Sequence, residues 1–265
     1  MSFYSTISDR SMLDRVMAKP AAPKTLAIHF TPRSGSSRLT EILRQTNCLG
    51  RANELFNPNF LPNIAAKFQA PDLATYIALA RRRLRHGDVF SFEITAFQLD
   101  SIFGSPSEYN DFFKDALTIW LIREDIVLQA VSLTKMVTLK MAHSTQPDFD
   151  PDVRMTYDAA ALKRWLLHIR RAEQLSEAYF ETFGIAPLRL SYEQTVKVTP
   201  FALANMIARY CGTTLDIAPE FDLNHRKIGN DESQQFAERF RSDEAAFVAE
   251  ICNERAPMLA RIQTL

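Results

Sequence analysis

Short, almost wholly apolar runs punctuate this chain, and longer stretches with helical spacing lie between them. Thr25-Leu26-Ala27-Ile28-His29-Phe30, Val89-Phe90-Ser91-Phe92-Glu93-Ile94 and Leu117-Thr118-Ile119-Trp120-Leu121-Ile122 read as strands covered on both faces. Leu188-Arg189-Leu190 reads as a shorter fourth strand. Leu39, Ile42 and Leu43 recur at helical spacing and predict a helix from about Ser37 to Gln45. A long helix is predicted after Arg123-Glu124-Asp125, running through Lys140. Leu162, Trp165, Leu166, Ile169, Ala172 and Leu175 form the stripe of another helix, starting near Tyr157 and stopping at Gly184. A further helix, opened by Glu193 or Thr199, reaches Tyr210. Strands alternating with helices predict an α/β fold of three layers, a central mainly parallel sheet flanked by helices. In such sheets ligands bind at the carboxyl ends of the strands.

Composition narrows the possible partners. Lys plus Arg and Asp plus Glu are 31 each, so the net charge is zero, and the basic excess of a nucleic-acid binder is missing. The densest basic run, Arg81-Arg82-Arg83-Leu84-Arg85, follows the helical stretch Leu73 to Ala80 and reads as a solvated helix end whose cations suit the helix dipole. Cys48, Cys211 and Cys252 are far apart and form no disulfide or zinc pattern, which fits a reducing, cytoplasmic location. The first residues lack the apolar core of a signal peptide, and no run of about 18 apolar residues predicts a membrane span.

Chemistry first gathers after the opening strand, at Thr31-Pro32-Arg33-Ser34-Gly35-Ser36-Ser37-Arg38. A glycine, small hydroxyl residues and an arginine immediately precede a helix, so backbone N–H groups and the positive helix end can converge on an anion. Gly35 allows close approach, Arg33 supplies charge, and Ser34, Ser36 and Ser37 add donors. The loop is P-loop-like, yet it lacks the GxxxxGK[ST] pattern of a nucleotide triphosphatase. A second anion site is offered by Arg123 at the end of the third strand and Ser132 nine positions later on the next helix. Taken singly, each of these residues also reads as a helix cap or a surface group.

Together the two elements resemble the sulfotransferases that use 3′-phosphoadenosine 5′-phosphosulfate (PAPS), and most closely the bacterial trehalose 2-sulfotransferase family with its lipopolysaccharide sulfotransferase-like members. The resemblance is carried by Arg33-Ser34-Gly35-Ser36-Ser37 with Leu39, by Gly50-Arg51-Ala52-Asn53-Glu54-Leu55-Phe56, and by the run Arg123-Glu124-Asp125-Ile126-Val127-Leu128-Gln129-Ala130-Val131-Ser132. It implies one sulfotransferase domain, with residues 1–23 an N-terminal extension, 24–241 the family-like core and 242–265 a C-terminal helix. It also implies PAPS as co-substrate without a metal, and Glu54 as the general base. Arg33 and the loop would hold the 5′-phosphosulfate, and Arg123 with Ser132 the 3′-phosphate. Asn224-His225-Arg226-Lys227-Ile228-Gly229 resembles the superfamily's C-terminal basic loop, which makes Arg226 and Lys227 further donor contacts. The acceptor would be a hydroxyl on a carbohydrate or glycolipid, and the resemblance leaves room for a homodimer.

Two positions depart from the family pattern. Arg51 stands where trehalose-specific members carry an acidic residue, and Glu93 stands where a basic residue is common. Both are expected to contact the acceptor, so trehalose itself is not assigned. His29, inside a strand, is an alternative base or a satisfied core residue. A nucleotide-dependent kinase and a non-catalytic module that binds adenosine bisphosphate are the competing functions.

Overall fold

The computed structural model describes residues 9–139, 155–215, 220–223 and 231–263. Its elements are α1 (Arg10–Met17), β1 (Lys24–Phe30), α2 (Ser36–Gln45), α3 (Leu61–Phe68), α4 (Leu73–Arg83), β2 (Val89–Ile94), α5 (Ala96–Phe103) and α6 (Pro106–Phe113). There follow β3 (Leu117–Ile122), α7 (Ile126–Leu139), α8 (Ala159–Thr182), β4 (Leu188–Ser191), α9 (Tyr192–Thr195), α10 (Pro200–Tyr210), α11 (Asp231–Asp243) and α12 (Ala245–Leu259). The four strands form one parallel sheet in the order β2-β1-β3-β4. The α/β layered fold predicted from the apolar runs is the observed one.

Alternation along each strand divides the core in two. Ala27 of β1, Phe90, Phe92 and Ile94 of β2, and Trp120 and Ile122 of β3 enter a cluster with Phe56, Tyr76 and Phe180. Leu26, Ile28 and Phe30 of β1, with Ile119 and Leu121 of β3, point the other way, onto Leu39, Ile42 and Leu43 of α2 and Leu203 and Ile207 of α10. Burial on both faces is why the strands read as continuous apolar runs. A third cluster joins α7 and α8 to α11 and α12 through Val127, Val131, Leu166, Phe240 and Ile251.

Several boundaries move by a residue or two. The helix expected near Tyr157 begins at Ala159 because the Asp158 carboxylate caps it, accepting from the Ala161 N–H at 3.0 Å. Glu193 and Thr199 do not compete to open one helix. Ser191 and Gln194 form a capping box around the short α9, and Thr199 separately caps α10. The basic run closes α4 as expected, but its cations are not simply solvated. Arg82 donates to the carbonyls of Met17, Lys19 and Ala78, Arg83 to that of Lys67, and Arg85 to those of Pro20 and Gly87. They tie the segment that precedes β1 onto α4. His29 is a core residue, stacked on Tyr179 and hydrogen-bonded through Nε2 to the Tyr109 hydroxyl at 3.1 Å, and burial lowers its pKa to about 3.

The order β2-β1-β3-β4 places the reversal of chain direction across the sheet between β1 and β3, so a crevice opens at their carboxyl ends. The β3 end of this crevice is fixed from below by Arg255 of α12. Its guanidinium, 1% exposed, donates to the carbonyls of Arg123 at 2.6 Å and Glu124 at 2.8 Å and is paired with the fully buried Glu173 of α8. Burial raises the Glu173 pKa even against this partner. Arg255→Ala leaves that buried carboxylate to Arg170 at 3.5 Å and frees two carbonyls, and is expected to cost about 3–5 kcal/mol, measured as a lower urea midpoint; Arg255→Lys, which cannot span the same four acceptors, recovers only part of it.

Candidate active site

At the end of β1 the chain turns from Thr31 through Ser34, whose N–H donates to the Thr31 carbonyl at 3.2 Å, and enters α2. Arg33 and Gly35 both adopt positive φ, 68° and 87°. A Cβ on Gly35 would meet the Tyr192 ring at 2.5 Å, so glycine is required there by backbone conformation and by space. No side chain caps α2, leaving its positive end to the crevice. The Ser34 hydroxyl is buried without a partner, a further polar group that a ligand could satisfy. Gln129 of α7 braces the turn, donating to the Thr31 hydroxyl and the Pro32 carbonyl, both at 2.8 Å.

The two anion elements read from the sequence meet in space. Arg33 Nε donates to the Ser132 hydroxyl at 3.1 Å, across 99 residues of chain. Arg123 Nη1 donates to the Arg33 carbonyl at 3.3 Å, and its guanidinium lies 5.0 Å from the centre of the Tyr192 ring. Burial and the neighbouring Arg123 charge both lower the Arg33 pKa, as expected where two guanidinium groups are held together. Glu193 stands beside them, 3.8 Å from Arg123 Nε, with its carboxylate accepting from the N–H groups of Glu124 and Asp125 at 2.9 and 3.3 Å. Tyr192, Glu193 and Gln129 were not singled out as site residues from the sequence. The capping-box spacing Ser191-x-x-Gln194 marked a turn at the end of β4, but the neighbour it would meet depends on strand order.

On the β2 side of the loop lies a cavity of about 410 Å³, lined among others by Ser37, Glu41, Arg44, Glu54, Phe60, Phe68 and Glu93. The Asn53 carbonyl accepts from the Glu93 N–H at 3.0 Å, so the segment bearing Glu54 is hung on the end of β2. Glu54 is half-buried and accepts from Asn57 Nδ2 at 2.6 Å. Phe60 is an exposed wall of the cavity, whereas Phe56 is core. Glu93 is 6% exposed, accepts a hydrogen bond from the Ser36 hydroxyl, and has its Oε1 sealed without a partner. Burial first, then the charge of Glu54, raise its pKa to about 8.

Of the remaining sequence candidates, Arg51 is exposed and donates to His86 rather than lining the cavity. Arg226 and Lys227 lie outside the described residues. Among the described residues no cluster of three or more His, Cys, Asp or Glu could hold a metal, and no helix is long and apolar enough to cross a membrane.

Comparison with known proteins gives this geometry a family. The chain is 24% identical to a trehalose 2-sulfotransferase of Mycobacterium tuberculosis (strain ATCC 35801 / TMC 107 / Erdman), over 80% of this chain and 92% of that one. A sulfotransferase from Alicyclobacillus acidocaldarius superposes with a TM-score of 0.54 at 16% identity, covering 92% of this chain and 98% of the other, which shows a shared fold. The sequence model described as "Stf0 sulphotransferase" matches residues 82–243, more than half of the chain, and the protein therefore belongs to the Stf0 sulfotransferase family.

Proposed function

We propose that this sulfotransferase takes its sulfuryl group from PAPS and passes it to a hydroxyl of a carbohydrate or glycolipid held in the cavity beside Glu54. One observation carries the reading above the others: Arg33, Arg123 and Ser132, distant in sequence, converge at the uncapped start of α2. Two guanidinium groups, an uncapped helix start and an orphan hydroxyl together favour a polyanion. In this reading Ser34, Gly35, Ser36, Ser37 and Arg33 take the 5′-phosphosulfate, and Arg123 with Ser132 takes the 3′-phosphate. The trehalose acceptor of the 24% identical relative supports a sugar hydroxyl as the nucleophile.

The chemistry then balances without a metal. The acceptor oxygen bonds to sulfur as the bond from sulfur to the 5′-phosphate oxygen breaks, and the hydroxyl proton passes to Glu54. Arg33 and the α2 N–H groups stabilise the charge that returns to the leaving phosphate. Ser37 and Glu54 line the same cavity, which supports Glu54 as a base beside the donor loop. Asn57 orients the Glu54 carboxylate by holding one of its oxygens.

Calorimetric titration with adenosine 3′,5′-bisphosphate, against adenosine 5′-phosphate and without added metal, tests the donor assignment. A clear preference for the bisphosphate is expected, and equal affinity for both ligands overturns it. Arg123→Ala should erase most of that preference while leaving the weaker ligand little changed. Glu54→Gln should lower turnover by about 10²-fold or more at unchanged bisphosphate affinity, the scale of a lost general base; a loss of binding in parallel would assign Glu54 to the donor site instead.

A further inference from the structure

Among the described residues Glu93 is the one acidic side chain within a strand, and the proposed reaction gives it no task. It lies one residue from the end of β2, on the face shared with Val89 and Ser91 and turned toward α2. Its backbone N–H fixes the Glu54 segment through Asn53, and its carboxyl receives the Ser36 hydroxyl in the first turn of α2. One side chain thus touches the anion loop and neighbours the base. We propose that Glu93 is a positioning residue that works in its protonated form, holding Ser36 of the donor loop beside Glu54 without adding a second negative charge where the anionic donor binds. This rests on the PAPS reading above.

The surroundings favour a proton here over a counter-cation. From the segment before α3, Glu54 presents a like charge. From α2, the Ser36 hydroxyl favours the ionised carboxyl but is outweighed by burial and the Glu54 charge, Ser37 is neutral, and Glu41 and Arg44 line the cavity as one acid and one base. From β1 the residue in register is Ile28, and Arg33 of the loop is turned to Ser132. Ser91, on the same face of β2, carries no charge. A carboxyl sealed in this way keeps its proton up to about pH 8. Above that pH it would place an anion against the start of α2, in competition with the donor phosphates for the same N–H groups and helix charge.

Donor affinity should therefore carry a pH signature. A group that titrates at about 8 is about nine-tenths protonated at pH 7 and about one-tenth at pH 9, so adenosine 3′,5′-bisphosphate should bind about tenfold more weakly at the higher pH. The ligand's own phosphates are about nine-tenths or more ionised across that interval, since their second ionisation falls near about pH 6, and their change is common to wild type and variant. Glu93→Gln keeps the hydrogen-bonding shape without the titration and should flatten the profile. The substitution should also raise the melting temperature at pH 8. The unfolded carboxyl ionises near its ordinary 4.5 and the folded one at about 8, so the wild-type fold loses stability as pH rises between those values.

The outcomes separate cleanly. Bisphosphate binding at pH 7 with parallel pH slopes in wild type and Glu93→Gln overturns this inference and leaves the donor reading intact. Absence of binding at pH 7 overturns both. If the variant fails to fold, the wild type titrated at pH 8 in buffers of differing ionisation enthalpy gives the answer alone. Net uptake of about half a proton per bisphosphate is expected, and no uptake refutes the role.

Discussion

The buried contact between Arg255 and Glu173 fixes the exit of β3, and the arginine side of the crevice is built outward from that point. A guanidinium held by a carboxylate from α8 and by two carbonyls at the strand exit admits one geometry for Arg123 and Glu124. Such a pair contributes little net stability, because desolvation offsets attraction, but it penalises every alternative placement heavily. From this anchor Arg123 reaches the Arg33 carbonyl, Glu193 accepts from the N–H groups of Glu124 and Asp125, and Asp125 caps α7 through the Leu128 N–H. The helix then presents Gln129 and Ser132 to the loop after β1. Three elements distant in sequence are registered against one another by hydrogen bonds of ordinary length.

The crevice is electrostatically divided. On the β3 side, Arg33 and Arg123 lie beside the uncapped start of α2, with Glu193 3.8 Å from Arg123 as the facing carboxylate. On the β2 side, Glu41, Glu54 and Glu93 line a cavity whose cation among its lining residues is Arg44 and whose walls include Phe60, Ile64 and Phe68. The loop bearing Ser36 and Ser37 is the boundary between the two. In the proposed reaction the sulfuryl group crosses that boundary from the arginine side toward Glu54, which is the polarity an attack by a hydroxyl requires.

Much of this was legible in the sequence because burial on both faces writes strands as unbroken apolar runs. Val89–Ile94 and Leu117–Ile122 are recovered to the residue. The loop after β1 drew notice through its position at a strand end, whereas Arg123 and Ser132 stood out only through the family resemblance, and the structure brings Arg33 to both of them. Tyr192 and Glu193 were not, since their part depends on β4 lying beside β3, a fact of sheet order that no local pattern records. Arg255 was silent for a related reason: one arginine in a C-terminal helix looks like any surface charge until the buried Glu173 is placed beneath it. Glu93 did leave a trace, a lone acid inside an apolar strand, but its link to Ser36 exists only once α2 packs on that face. The basic run after Leu73–Ala80 was read as solvated, whereas its arginines spend their donors on backbone carbonyls of the segment before β1.

The distance along the chain between Arg255 and what it holds also bears on how the molecule is made. Its carbonyl partners precede it by 131 and 132 residues, so on the ribosome the exit of β3 emerges long before the side chain that fixes it. Until α12 is synthesised, Glu173 has Arg170 of its own helix at 3.5 Å but lacks the guanidinium that links it to the exit of β3. The exit of β3 therefore gains this anchor only once the C-terminal helix has been made.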